Sequence, residues 1–525
     1  MVFFQQLIWG LITLDLSWWR TTFQVPQEPK SIAIVGAGSA GLAVLERLLK
    51  VSAQKGQEWD VTLYEQTDDV GGVWLPDTRD LRPPEIPYSP LYPLLRTNTP
   101  VPSMTYPGFP FQPGTPLYPT HEHIQEYHRQ YASHRQLFPH IKFQHSVVEA
   151  RWIGSAGGGA WNITFVDHSN MTRYKEVNHL VVASGNHHIP HIPRWPGQEE
   201  WLEHRRTGRP QREILHSVYY RRPEKFTART LLIIGSSASA QDAAVQTVKF
   251  TKTTYISVRH EIHLPPGSDD VVTKPDISHF TPNSVVFADG TEVGDVDSVL
   301  VATGYEQRKP FLESGGALTV DPSAHSNSSS TGRGGTLVTN LRYIFPLHQH
   351  IFSLSPEYPV NALAFIGLPT RIANCPSDFA QGLFVAHAIA NGSILPGREE
   401  LLGELALREE KVRKYGYDPY TVGHEMVNGT SSDYQDELVD FLQKTNAIPK
   451  TGAKYVENWR RYIFDYAYLK RGWKRIEQLG EGDKWVKGIE TEEQWSSLMR
   501  RVNEWQQRYE EDNGVPFVQD MVIGG

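Results

Sequence analysis

The chain has 525 residues, 39% hydrophobic and 21% charged, enough for a large buried core and, at roughly 150 residues per domain, for three or four structural units. Its formal net charge of -8 offers no basic excess of the kind nucleic-acid binding needs, so no nucleic-acid partner is expected. The single cysteine, Cys375, excludes internal disulfides and also any chemistry that runs through a redox cysteine pair.

Residues 1–29 form an apolar N-terminal extension. Val2 to Trp19 are rich in Phe, Leu, Ile and Trp, but Gln5, Gln6 and Asp15 interrupt them. The run falls short of the ~20 apolar residues of a spanning helix, and no Lys or Arg precedes it as in a secretory signal. Leu7, Leu11, Leu14 and Trp18 share one helical face. Three readings stay open: an extension packed on the protein, which is favoured, a peripheral membrane contact through residues 2–19, and a signal or anchor. A cytosolic or endoplasmic-reticulum-associated location is favoured, with secretion left open. The five Asn-X-Ser/Thr sequons, beginning at Asn162, Asn170, Asn327, Asn391 and Asn428, decide nothing, because such tripeptides arise by chance.

The first strong pattern begins at Ser31. An apolar strand, Ser31 to Val35, runs into Gly36-Ala37-Gly38-Ser39-Ala40-Gly41. A helical stretch from Leu42 follows, then a second strand, Val61 to Tyr64, ending at Glu65. This is a βαβ unit with a dinucleotide fingerprint. Gly36 permits the tight turn, Gly38 lets backbone approach a pyrophosphate, and Gly41 allows helix and strand to pack closely. The first residues of the helix, Ser39 and Ala40, bring free N–H groups and the positive dipole end. Glu65 stands where a carboxylate would hydrogen-bond ribose hydroxyls.

Residues 81–119 are dense in proline and aromatics and read as an ordered, irregular cover. His121 to Leu137 reads as a helix. Val147 to Ile153, Trp161 to Val166 and Leu180 to Ala183 read as strands, and the prolines at 190, 193 and 196 mark a linker. A second βαβ pattern starts at Thr230. Its turn, Gly235-Ser236-Ser237-Ala238-Ser239-Ala240, is degenerate, but its strand–turn–helix–strand context is intact. The next strand ends at Arg259, a basic residue that suits the 2′-phosphate of NADPH, with Lys252 and His260 as helpers. A strand at Val299 to Val301 leads into Ala302-Thr303-Gly304-Tyr305. Residues 321–336 read as a mobile Ser/Gly-rich loop, Ala364 to Ile366 as a late strand before Gly367, and residues 401–525 as helical.

Two dinucleotide folds in one chain imply electron transfer between two cofactors, with FAD on the first and NADPH on the second. The fold class is therefore α/β: two Rossmann-like dinucleotide-binding domains and a helical C-terminal segment. The FAD domain is read as discontinuous, residues 30–190 and 311–400, with the NADPH domain at 191–310 between them. The histidines at 121, 123, 187, 188, 191, 348 and 350 carry no Cys or paired carboxylates at ligand spacing, so no metal site is expected.

Several segments resemble the flavin-containing monooxygenases, fungal members in particular, over roughly residues 30–390. Gly71-Gly72-Val73-Trp74 is similar to the family's GG-x-W segment. Leu95-Arg96-Thr97-Asn98-Thr99-Pro100, continuing to Met104 and Phe109-Pro110-Phe111, resembles a segment whose Asn faces the flavin. Ala183-Ser184-Gly185 and Ala302-Thr303-Gly304-Tyr305 match two further signatures. The resemblance implies cofactor contacts at Gly72, Trp74, Arg96, Thr97, Asn98, Val148, Thr303, Gly304, Gly367 and Gln381. The family's identifying motif, F-x-G-x-x-x-H-x-x-x-Y, is matched by His216 and Tyr220, while Pro210 and Arg212 replace its Phe and Gly. Baeyer–Villiger enzymes carry Trp at the last position, so Tyr220 points to oxygenation at a heteroatom. A second departure is Phe379, where the family's F-P-x-x-E-x-Q segment carries Glu.

The mechanism implied is NADPH reduction of FAD, uptake of O2 as a C4a-hydroperoxide, and attack by a soft nitrogen or sulfur nucleophile of a small molecule. Asn98 and His216 are the catalytic candidates, Asn98 by hydrogen bonding near the flavin and His216 by orienting NADPH or bracing the domain. A Baeyer–Villiger enzyme acting on ketones, a flavin oxidase or reductase, and a cofactor-bound interaction protein with little turnover remain as alternatives, and a homodimer is left open.

Overall fold

The computed structural model describes residues 29–260, 262, 264, 268–325, 336–515 and 517. The apolar face of Leu7 to Trp18 and most of the Ser/Gly-rich stretch 321–336 lie outside the described residues.

Strand Ser31–Val35 lies inside a seven-stranded sheet, flanked in parallel by Asp60–Tyr64 and His179–Val182. Leu363–Phe365 comes from far along the chain to pair in parallel with His179–Val182. Such strands are covered on both faces, which is why they read as continuous apolar runs rather than alternating ones. The antiparallel sheet Ser146–Ser155, Gly158–Val166 and Thr172–Val177 shows the other pattern. Trp161, Ile163 and Phe165 point inward and their neighbours do not, because only one face is covered.

Helix Ser39–Gln54 packs along helix Asn374–Ala390, which arrives from more than three hundred residues later in the chain. Gly382 allows the contact: a Cβ there would lie 3.0 Å from the Cα of Val44. The second unit is a five-stranded parallel sheet in the order Val271–Lys274, Thr253–Ser257, Thr230–Ile234, Ser298–Val301, Glu213–His216. Leu231, Ile233 and Ile256 pack beneath Ala240 and Ala244 of helix Ala238–Thr247. The fold is α/β with two Rossmann-like units, in agreement with the expectation from the sequence.

Helices follow from Arg398 onward. The last, Glu492–Asp512, opens with a reciprocal capping box between Thr491 and Gln494. It lies on helix Leu469–Gln478 at Gly472, where a Cβ would meet Gln506 at 2.9 Å. Among the described residues no helix is long and apolar enough to cross a membrane.

Candidate active site

The first glycine turn is held by backbone from three strands. Gly36 donates to Tyr64 O at 2.9 Å and adopts φ +103°, and a Cβ on it would lie 2.6 Å from Ala183 O. Gly41 is tighter, since a Cβ there would lie 1.8 Å from Gly36 O. Gly38 differs: its nearest neighbour is the Cα of Gly72 at 3.5 Å. Gly38 and Gly72 thus face each other without side chains, next to the N-terminus of helix Ser39–Gln54, which no side chain caps. An uncapped N-terminus beside a side-chain-free backbone cradle suits a diphosphate. The buried Glu65 accepts from Ala37 N at 2.7 Å and from the backbone and hydroxyl of Thr67 at 2.9 and 2.8 Å, which fixes the carboxylate beside the turn. Val148 is exposed on strand Ser146–Ser155, at a register shift.

The segment expected to face the flavin is anchored at both sides while Asn98 itself is exposed. Thr97 is buried and its N–H donates to Pro119 O. Arg96 turns outward to Glu477 at 2.6 Å, on a helix of the C-terminal region. Trp74 closes a short turn, Gly72–Trp74, and is half-buried against the core. Gly367, at φ +78°, stands so close to Ala40 that a Cβ on it would lie 3.2 Å from that methyl. Gln381 Oε1 accepts the Gly367 N–H at 3.0 Å, and Asn186 Nδ2 donates to Gly367 O at 2.7 Å.

The second turn repeats the geometry of the first. Gly235 donates to Ser257 O at 3.1 Å, has φ +126°, and a Cβ on it would lie 2.4 Å from Ala302 O. Ser236, Ser237 and Ser239 are exposed, Ala240 is buried, and no side chain caps helix Ala238–Thr247. Arg259 follows the C-terminal end of strand Thr253–Ser257, largely exposed, its Nε 3.4 Å from Asp276. Lys252 is a correction to the expectation from the sequence. It precedes that strand, so it stands at the opposite edge of the sheet from the turn, and it pairs with Asp295 at 3.1 Å.

His216 is buried at the end of strand Glu213–His216. Its Nδ1 accepts the Val218 N–H at 3.1 Å, which leaves Nε2 as the protonated nitrogen, donating to Gly304 O at 3.0 Å. Burial pushes its pKa down to about 4, against the pull of the Gly304 carbonyl. Both nitrogens are engaged, so the ring braces the Thr303–Gly304 turn against its strand. Thr303 Oγ1 and the Gly304 carbonyl also engage His191, joining the turn to the proline-rich linker. His216→Ala is expected to lower unfolding stability by about 2–4 kcal/mol, from a cavity plus the orphaned Val218 N–H, while Gly304 O keeps the His191 N–H. Urea unfolding checks this, and an unchanged midpoint would count against the brace. Because the folded pKa lies below the ordinary 6.5, this histidine also subtracts stability as pH falls from about 6.5 to about 4. The motif's neighbours are structural too. Arg212 donates to Trp201 O, Pro282 O and Asn283 O, and the Tyr220 hydroxyl donates to Gln246 at 2.8 Å.

Two residues at the site escape detection from the sequence. Lys309 is buried, donates to Gly185 O at 2.7 Å and to Asn186 Oδ1 at 3.3 Å, and is pushed down to about 8 by burial. Nothing in its local sequence marks it. Asp378 is buried beside the first turn, where Ser39 Oγ donates to its Oδ2 at 2.7 Å. Phe379 instead lies under the Arg47 guanidinium, 4.2 Å away. A sequence signal for Asp378 exists: it is the only charged residue of helix Asn374–Ala390.

Comparison with known proteins fits this geometry. The chain matches the family model described as flavin-binding monooxygenase-like over residues 29–264 and 267–451. It is 28% identical over 463 residues to a senecionine N-oxygenase of Tyria jacobaeae, covering 82% of this chain and 89% of that one. It is 26% identical over 471 residues to the flavin-containing monooxygenase FMO GS-OX-like 8 of Arabidopsis thaliana, covering 84% and 90%. Among solved structures it is similar to the S-allyl-L-cysteine S-oxygenase of Allium sativum, with a TM-score of 0.67 at 25% identity, covering 91% of this chain and 99% of that one. The family model spans both glycine turns and well over half the chain, and the protein therefore belongs to the flavin-binding monooxygenase-like family, as an enzyme that uses FAD and NADPH.

Proposed function

We propose that the enzyme oxygenates a soft nitrogen or sulfur nucleophile of a small molecule, consuming NADPH and O2. The supporting observation is the pair of uncapped helix N-termini, one with Glu65 beside it and the other with Arg259 beyond the following strand. A carboxylate suits the ribose hydroxyls of FAD, and a guanidinium suits the 2′-phosphate of NADPH. The relatives named for oxygenating nitrogen and sulfur, senecionine N-oxygenase and S-allyl-L-cysteine S-oxygenase, support the choice of nucleophile. So does Tyr220, at the last position of the family motif. On this reading the FAD unit comprises residues 30–190 and 311–400, the NADPH unit 191–310, and the helical region 401–525 covers them.

Bound flavin, reduced by hydride from NADPH, supplies the activation of O2. For a sulfide the balance is sulfide, O2, NADPH and a proton in, and sulfoxide, NADP+ and water out. The protein residues bind, orient and exclude water. Gly38, Gly72, Ser39 and Ala40 would take the FAD diphosphate, with Gly36 and Gly41 shaping the turn. Gln381 and Asn186 set the Gly367 backbone, and Asn98, exposed on the segment that resembles the family's flavin-facing one, would hydrogen-bond where oxygen chemistry occurs. Gly235 and the serines at 236, 237 and 239 would take the NADPH diphosphate. His216, whose pKa burial pushes down to about 4, would hold the Thr303–Gly304 turn rather than transfer a proton.

Rapid mixing tests the reading. The protein is reduced with NADPH without oxygen and then mixed with oxygenated buffer. The expected result is a lasting near-ultraviolet absorbance distinct from oxidised flavin, which decays faster with an amine or thioether present and yields the N- or S-oxide. Immediate return of oxidised flavin with release of peroxide under every condition would make the enzyme an oxidase. An ester formed from a ketone panel would make it a Baeyer–Villiger enzyme.

A further inference from the structure

Asp378 is a buried acid at the seam between helix Asn374–Ala390 and helix Ser39–Gln54. It is 2% exposed, and the polar groups near it come from four elements. Ser39 of the glycine-turn helix hydrogen-bonds it, and Tyr106 of the proline-rich cover, Cys375 of its own helix and Tyr434 of helix Ser431–Lys444 are near enough to feel its charge. None of these is a cation. A carboxylate buried without a positive partner is costly, and it escapes that cost by holding its proton. Burial accordingly pushes this carboxyl up to about 7, and the Ser39 hydrogen bond offsets only part of that.

Its two oxygens have different surroundings. Oδ2 accepts from the hydroxyl of Ser39, the first residue of the helix proposed to hold the diphosphate. The hydroxyl of Tyr106 donates to Ser39 O at 2.8 Å from the opposite side, so Ser39 is gripped at both ends. Oδ1 is directed toward the Gly367 turn: a Cβ on Gly367 would lie 3.4 Å from it and 3.2 Å from the methyl of Ala40. The second carboxyl oxygen therefore lies where the two glycine-bearing loops of the first site meet.

We propose that Asp378 is a further FAD-binding residue that acts as an uncharged acid, accepting from Ser39 through Oδ2 and presenting its protonated Oδ1 to the ribityl–diphosphate stretch of the cofactor. The proposal rests on the reading that the first turn takes FAD. It explains how an acidic side chain is tolerated beside a dianionic diphosphate. The same proximity links FAD affinity to one proton. A negative charge close by raises a carboxyl pKa further, so the FAD-bound form holds this proton to higher pH than the apoprotein does. Below about pH 7 both forms are protonated and affinity is independent of pH. Above it the apoprotein ionises, binding must take up a proton, and affinity falls by up to about tenfold per pH unit until the bound form ionises too.

The test is FAD binding to the full-length apoprotein, followed by quenching of flavin fluorescence from about pH 6 to about pH 9. Wild type is expected to lose affinity about tenfold or more across the upper part of that range. Asp378→Asn, which keeps the shape and a donor but cannot ionise, is expected to give a flat profile. A flat wild-type profile, or an Asn variant with the wild-type slope, overturns the proposal. The wild-type slope is a sufficient test if the variant does not fold. Failure to bind FAD at any pH would instead overturn the assignment of the first turn. Apoprotein unfolding is an independent readout. Removing a buried ionisable acid should raise stability above about pH 7 and change it little near pH 4, where the wild-type side chain is already neutral.

Discussion

Gly38→Ala is expected to give a folded but colourless protein whose affinity for FAD is lower by about 100-fold or more. The added methyl meets only the Cα of Gly72 at 3.5 Å, an ordinary contact, and the backbone at Gly38 has φ -78°, which alanine adopts freely. The fold therefore has no reason to object. The diphosphate does, because the methyl occupies the place where backbone must approach it. Losing two charge-assisted hydrogen bonds at about 1.5–3 kcal/mol each corresponds to roughly 10²- to 10⁴-fold in affinity. Gly36 and Gly41 cannot serve for this experiment, since a Cβ on either would strike backbone at 2.6 or 1.8 Å and any loss of FAD would be confounded with loss of the turn. Flavin absorbance of the purified variant and titration of its apoprotein decide the matter. A yellow variant with unchanged affinity would remove Gly38 from the site.

Arg259→Ala is expected to raise the KM for NADPH about 10- to 100-fold while leaving that for NADH nearly unchanged. The difference follows from one charge-assisted contact of about 1.5–3 kcal/mol to a phosphate that NADH lacks. Stability should not change measurably. The guanidinium is 72% exposed, and its 3.4 Å approach to Asp276 is an exposed ion pair, worth less than about 1 kcal/mol. Steady-state rates of flavin reduction with both nucleotides measure the split. Equal losses for NADPH and NADH would show that Arg259 supports the domain and does not read the 2′-phosphate.

Much of this architecture is legible in the amino-acid sequence. The run Ser31 to Val35 with its glycine turn, and Thr230 to Ile234 with its degenerate one, carry their meaning locally. A parallel strand buried on both faces is apolar throughout, and a turn that packs against a neighbouring carbonyl needs glycine at its first position. The two turns differ in composition yet share that requirement, and Gly36 and Gly235 each lie against the carbonyl of an alanine, Ala183 and Ala302. Both alanines open signatures that the sequence displays, Ala183-Ser184-Gly185 and Ala302-Thr303-Gly304-Tyr305.

Other features depend on which segments meet. Lys252 and Arg259 are seven positions apart and equally basic, but a strand lies between them, and only its direction decides that Arg259 stands at the turn's end of the sheet and Lys252 at the other. His216 belongs to a catalytic-looking motif, yet the Gly304 carbonyl and the Val218 N–H occupy both of its nitrogens and make it a neutral brace. Asp378 is one acid in an otherwise uncharged helix until that helix is laid along Ser39–Gln54 by way of Gly382 and Val44, which places its carboxyl on the hydroxyl of Ser39. The sequence by itself displayed the elements, the two glycine turns and the identity of the cofactors, because a buried parallel strand is apolar throughout and a turn pressed against a carbonyl admits only glycine, whichever segment supplies that carbonyl. Tertiary structure alone decided which charges and protons the site holds, because burial and the approach of distant segments set the electrostatic environment of a side chain.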